Sequence, residues 1–249
     1  MSRPGARPVA TTDRAKRLHT LLGRLRSASA REGGQAEAGP LAAMCDPVLG
    51  EFVRSFLVWE ASTAKADAAL RKLAAACVDI NDLRVSLTEE VVSVIGPGYP
   101  RAEERAERLK AALHGLFRRE NSMSMAHLPE KAKREARVYL TGLPETPSFV
   151  ADRTFLLALD GHACPADQRL TTRLIQERVL EADTPPEEAA SWLERTIRAG
   201  DAREAYTLLS GWVDEGSAVL KPARPKGARG TPTPGKRTGP VAARSRRSR

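Results

Sequence analysis

Apolar residues recur along this chain at intervals of three and four, and that period predicts an all-α fold. Before residue 41 the pattern occurs once. Asp13 stands where it can cap a short helix with Leu18, Leu21, Leu22 and Leu25 on one face, and the spacing leaves open whether that helix docks or stands free. From Asp46 the pattern is continuous. Val48, Phe52, Phe56, Val58 and Trp59 mark a buried helix, and residues 64–77 predict a second with Ala68, Leu73 and Ala76 on its apolar side. Ile80, Leu83 and Leu87 predict a short turn of helix, and Thr88-Glu89-Glu90 opens the next, from Val91 to Ile95. Gly96-Pro97-Gly98-Tyr99-Pro100 breaks it. The clearest helix runs from Arg101 to Asn121, where Leu109, Leu113, Leu116 and Phe117 align beneath a cover of Arg and Glu.

Pro129 predicts the start of a helix reaching about Leu140. The run from Leu140 to Pro147 reads as a tight turn between two helices, the second spanning Phe149 to Leu159. Asp160-Gly161-His162-Ala163-Cys164-Pro165 is another turn, followed by a predicted helix over 166–180. Pro185-Pro186-Glu187-Glu188 opens a helix over 189–199, and Asp201 caps the last, through Tyr206, Leu209 and Trp212. About ten short helices joined by short loops describe a compact multi-helix domain over 41–220 rather than a simple bundle. Residues 1–40 form an N-terminal extension with one short helix, and its Gly, Pro, Ser and Ala-rich stretches 1–12 and 28–40 are expected to be flexible. Residues 221–249 hold almost nothing larger than Ala besides Lys, Arg and Pro. They carry too little apolar surface to offset their ordering entropy, so a disordered basic tail is expected.

Composition narrows the class. An aromatic share of 4% disfavours a β-sandwich. No apolar run approaches the roughly 20 residues a membrane span requires, so no membrane partner is expected. No apolar signal core follows Arg3 and Arg7, and the expected location is cytoplasmic or nucleoid-associated. Cys45, Cys77 and Cys164 are scattered, without a CxxC pair or a Cys/His spacing suited to a metal. His19, His114, His127 and His162 lie too far apart to share a helical turn. Neither a metal site nor a cofactor is expected.

The net charge of +9 has a revealing distribution. Lys221, Arg224, Lys226, Arg229, Lys236, Arg237, Arg244, Arg246, Arg247 and Arg249 stand in the tail with no acid among them. Residues 1–40 contribute +5, which leaves 41–220 with 22 basic and 28 acidic residues, a net −6. The basic ends therefore make a basic protein of an acidic core. Attraction to phosphate is local, screened within about 10 Å at moderate salt. Cations spaced by Pro and Gly can follow a polyanion backbone without folding into a specific reader. DNA is the expected partner of the tail, and RNA the alternative.

Four features give the stretch from about Trp59 to Trp212 a resemblance to a known family. Val94-Ile95-Gly96-Pro97-Gly98-Tyr99 precedes an Arg-rich helix. Leu140 and Leu143-Pro144 follow at hairpin spacing, and an apolar helix comes next. Pro165-Ala166-Asp167 places an acid 24 residues after Leu143. In this order and spacing the chain resembles the helix-hairpin-helix (HhH-GPD) DNA glycosylases, the base-excision-repair superfamily of endonuclease III. The first feature is similar to that family's IG-x-Y-x-x-KA segment, and the second to its L-x-x-LPGVG hairpin. The resemblance implies an HhH-GPD-like domain, binding to DNA, and a catalytic aspartate at Asp167, a residue that can equally cap the helix beginning near Gln168.

The departures from the family bear on activity. Where its hairpin reads LPGVG, this chain has Leu143, Pro144, Glu145, Thr146 and Pro147. Glycines there let the backbone approach a phosphate, with amides at a helix start as donors. Glu145 brings a negative side chain instead, and Pro147 has no N–H to give. Phe149 stands at the position of the lyase lysine, and a phenyl ring cannot form the Schiff base that strand cleavage requires. With no cysteine after Cys164, the family's iron–sulfur loop cannot be built.

The expected function is therefore a divergent glycosylase-fold protein, weakly active or inactive and associated with DNA through its tail. If active, it would be a monofunctional enzyme that hydrolyses the N-glycosidic bond through Asp167, without lyase activity. A helical interaction module unrelated to repair is the third reading. Trp59, Tyr99 and Phe149 are the candidate pocket aromatics.

Overall fold

A computed structural model describes residues 11–29 and 41–219. No strand occurs among the described residues, in agreement with the helical period. In chain order the helices are α1 (Thr11–Ser29), α2 (Pro47–Val58), α3 (Thr63–Ala76), α4 (Ile80–Val85), α5 (Thr88–Ile95) and α6 (Ala102–Glu120). They continue with α7 (Lys133–Thr141), α8 (Ser148–Ala158), α9 (Gln168–Gln176), α10 (Pro186–Thr196) and α11 (Ala202–Val219). The basic cluster at 221–249 lies outside the described residues, as do 1–10 and 30–40.

Helix α2 is the hub of the core. Val48, Leu49, Phe52, Val53, Phe56 and Leu57 are all buried, as in a helix that is apolar nearly all round, and α2 packs on α8, α3 and α6. Asp46 caps it through Oδ1, which accepts from Val48 N and Leu49 N at 3.0 Å. Its Oδ2 accepts from Met125 N at 2.9 Å, tying the helix start to the segment after α6.

Several boundaries differ from the expectations. Pro129 lies in a 3-10 turn, Leu128–Glu130, and the helix proper begins at Lys133. The helix after the second turn is shorter at both ends than 166–180, because Asp167 takes the cap position and Arg178 has a positive φ of 57°. On α3 the buried face is Ala66, Ala69, Leu70 and Leu73 rather than the side of Ala68 and Ala76. Its many alanines mark either face equally, and the two leucines set the phase.

Helix α1 is longer than the sequence suggested, taking in 11–12 and 28–29, and Asp13 sits within its first turn. It docks: Leu18, Leu21 and Leu22 are buried and the helix packs along α11. Arg14–Glu181 at 2.7 Å and Arg26–Glu204 at 2.7 Å fasten its flanks to the body. Arg26–Glu204 is exposed and Glu181 is too, so these pairs add little stability and the leucines carry the docking.

Candidate functional site

Helices α7 and α8 meet at residues 142–147, forming the expected helix–turn–helix. Helix α6 is the platform for this turn. At Gly115 an added Cβ would lie 2.2 Å from Cδ of Pro144, so the proline packs directly on the α6 backbone. Arg119 donates to Gly142 O at 3.1 Å and Tyr139 O at 3.3 Å, satisfying carbonyls at the end of α7. Arg108 pairs with Glu104 at 3.0 Å and reaches Glu145 at 3.4 Å.

Glu145 keeps the left-handed backbone that favours glycine, with φ of 53°. The turn therefore bends as a glycine would, while the side chain is 61% exposed and directed to Arg108. Pro147 is the N-cap of α8; its carbonyl accepts from Val150 N and Ala151 N, and it has no N–H of its own.

Asp167 and Phe149 come together. Both line one cavity with Arg169, Tyr206 and Val213. Its volume is about 20 Å³. That is room for roughly one water, which needs about 10–15 Å³, and far below the ~300 Å³ at which small-molecule pockets begin.

Asp167 is 6% exposed, and both of its oxygens are engaged. Oδ1 accepts from Leu170 N at 2.9 Å as the cap of α9, and Oδ2 accepts from Glu60 N at 3.2 Å. The Glu60 carboxylate returns the contact, accepting from Gln168 N at 2.8 Å. Two carboxylates thus share the N-terminus of α9, where the helix dipole favours negative charge. Burial pushes the Asp167 carboxyl up, opposed by the Leu170 amide and the Arg169 charge. Burial raises Glu60 as well, with the Asp167 charge adding to it.

The connector between α2 and α3 is held over this cavity from three sides. Asp167 takes Glu60 N, Arg169 donates to Ala61 O, and Asp214 accepts from Thr63 N at 2.8 Å. Arg169 also donates to Asp214 at 2.6 Å, so the cation and the two aspartates form one network.

The other candidate aromatics belong to the core. Tyr99 donates to Leu57 O at 2.6 Å, and burial raises its phenol to about 12. The Trp59 ring is surrounded by Arg101, Arg105 and Arg108, with guanidinium carbons 5.0, 5.7 and 5.6 Å from its centroid. Arg105 is fully buried and donates to Phe56 O and Trp59 O, carbonyls that the end of α2 leaves open, and to Pro100 O just before α6. Burial lowers this guanidinium to about 10.

Sequence reasoning overlooked Glu60, Arg105, Arg108 and Gly115. Arg105 could have been found, since it lies on the apolar stripe of α6 with Ala102, Ala106 and Leu109. The other three act through contacts with residues distant in the chain.

The three cysteines are free. Burial raises Cys45 to about 11 and Cys164 to about 12, which leaves them poor nucleophiles. No group of His, Cys, Asp and Glu fit to hold a metal occurs among the described residues. No described helix is long and apolar enough to cross a membrane.

Solved structures share this fold. A trapped endonuclease III–DNA covalent intermediate in an estranged-adenine complex aligns with a TM-score of 0.58 at 12% identity, over 80% of this chain and 85% of that one. MBOgg1 in complex with a low-affinity DNA ligand gives 0.56 at 16% identity, over 81% of this chain and 70% of that one. A thermostable thymine-DNA glycosylase gives 0.51 at 16% identity, over 87% of this chain and 92% of that one. No protein-family model and no curated protein matches the sequence. The chain has an all-α, HhH-GPD-like fold.

Proposed function

We propose, taking that fold as the premise, that this protein is a DNA-associated member of the glycosylase architecture that has given up base excision. The observation that carries this reading is the state of Asp167. Its two oxygens hold backbone amides, and the space beside it accepts about one water. An acid that stabilises a cationic sugar needs that sugar within contact distance, and an extruded nucleotide needs a pocket. Phe149 fills the lysine position, and no lysine lines the cavity. Lyase chemistry through a Schiff base therefore has no nucleophile at this place.

Association with DNA is assigned to the ten tail cations, from Lys221 to Arg249, because residues 41–220 are net acidic and the hairpin gives no amide at Pro147. Binding of this kind is sequence-independent and steeply salt-sensitive. RNA offers the same phosphate chemistry, so the test compares the two.

A second reading keeps Asp167 as the working acid of a monofunctional glycosylase. It is favoured by the meeting of Asp167 with the hairpin helix in one cavity and by the raised carboxyl. One experiment separates the readings. The full chain is incubated with duplexes bearing alkylated, deaminated or mismatched bases and then treated with alkali, alongside Asp167→Asn and a borohydride trap on abasic DNA. The first reading expects neither base release nor a covalent adduct. Release that vanishes in Asp167→Asn would establish the second reading, and an adduct would refute the loss of lyase chemistry. Deleting 221–249 should greatly weaken binding and flatten its salt dependence on both DNA and RNA; an unchanged slope would place the binding in the core.

A further inference from the structure

On a different face of α11 from the one that meets Asp167 lies a much larger space. A cavity of about 320 Å³ opens where the α1 residues His19, Leu22 and Arg26 cross the corner between α10 and α11. It falls within the roughly 300–1,000 Å³ range of small-molecule sites. Leu22, Ile197 and Ala205 supply aliphatic walls, and His19, Arg198 and Asp201 supply polar ones.

The polar groups are left open. Nδ1 of His19 lies 2.7 Å from Ala15 O, and a carbonyl can only accept, so Nδ1 carries the proton. In the neutral ring Nε2 is then left as an acceptor. Arg198 caps the start of the 3-10 turn before α11 and Asp201 is its last residue, the two standing three positions apart and opposite in charge. They form no ion pair with each other, and neither side chain has a hydrogen-bond partner among the described residues, although the Asp201 charge also acts on the nearby Arg26. The other cation of the wall is already committed: Arg26 donates to both Glu204 oxygens at 2.7 Å.

The charges decide the ligand class. Arg26 cancels against Glu204, and Arg198 against Asp201, so an anion gains little net attraction here. A flat, uncharged heterocycle with acceptors on one edge and N–H donors on the next satisfies both open groups. Guanine has that arrangement: an arginine fork matches its O6 and N7, and a carboxylate accepts from its N–H groups. Its faces would lie against the aliphatic walls.

We infer that the cavity between α1 and the α10–α11 corner binds a guanine-type heterocycle, as the free base or nucleoside, through Arg198 and Asp201. The site is independent of the DNA-binding role proposed above. Calorimetry on the full chain with guanosine tests it, with adenosine and inorganic phosphate as comparison probes. Guanosine should bind, and Arg198→Ala and Asp201→Ala should each weaken it about tenfold, as expected for a lost base-edge contact. Adenosine should bind more weakly, because its N6 amine faces the guanidinium. Phosphate should not compete, although it will occupy the basic tail. Both substituted residues are exposed, so unchanged thermal midpoints will show that the variants fold. Leu22→Trp, which narrows the cavity from α1, should also weaken binding. Absence of guanosine binding, equal affinity for adenosine, competition by phosphate, or indifference to all three variants would each overturn the assignment.

Discussion

Asp167 and Glu60 stand 107 positions apart in the chain, and each holds a backbone amide of the other's segment. Glu60 N donates to Asp167 at 3.2 Å, and Gln168 N donates to Glu60 at 2.8 Å. The exchange works as a capping box assembled from distant segments, closing the α2–α3 connector over the start of α9. The two carboxylates gain those amides at the cost of burying like charges together.

Losing the cap should be felt in stability before anything else. Asp167→Ala orphans the buried amides of Leu170 and Glu60, and the unfolding free energy should drop by about 2–3 kcal/mol. Urea denaturation of the variant and the parent measures it. A change within error would mean that Asp167 is not the clamp described.

Acidity should affect the same pair. Burial raises Asp167 above its ordinary 3.8 and Glu60 above its ordinary 4.5. A carboxyl that holds its proton more tightly folded than unfolded contributes stability that is full below its ordinary value and lost as pH rises through the folded one. From roughly pH 4 upward this contribution therefore declines. Glu60→Gln removes one of the two groups, so its stability should decline less over that range than the parent's. Denaturation midpoints across the pH series supply the comparison, and parallel curves would sink the argument.

Arg105 is the most demanding buried group in the fold. Arg105→Met fills similar space but leaves the carbonyls of Phe56, Trp59 and Pro100 without donors, and should cost roughly 3–5 kcal/mol. Thermal and chemical melts report the loss. A variant as stable as the parent would mean that those carbonyls find other donors.

Gly115 and Pro144 form a steric pair between α6 and the hairpin. Gly115→Ala should gain about 1 kcal/mol of helix propensity and lose about 1–3 kcal/mol to the clash. Made together with Pro144→Ala, the same change should become stabilising. A double-mutant cycle with no coupling would remove the contact from the account.

Whether the hairpin faces DNA can be probed at Glu145 and Pro147. Glu145→Gly with Pro147→Gly removes an acid and supplies an amide, which should raise duplex affinity and steepen the salt slope by about 0.9 for one added phosphate contact. Unchanged binding would place this turn away from the nucleic acid.

The amino-acid sequence alone determined the helical class, the hairpin between α7 and α8, and the capping role open to Asp167. Each rests on local physics: a period of three to four, proline and glycine at turns, and a short acid before a helix. The positive φ of Glu145, the small size of the cavity beside Asp167, the docking of α1 and the burial of Arg105 were decided only in the tertiary structure. How much room the pocket has depends on Glu60, Ala61 and Thr63 being held against residues more than a hundred positions away, and no spacing within one helix encodes that approach. The α1 leucines announced an apolar face but not its partner, because burial against α11 follows from how two amphipathic helices meet in space.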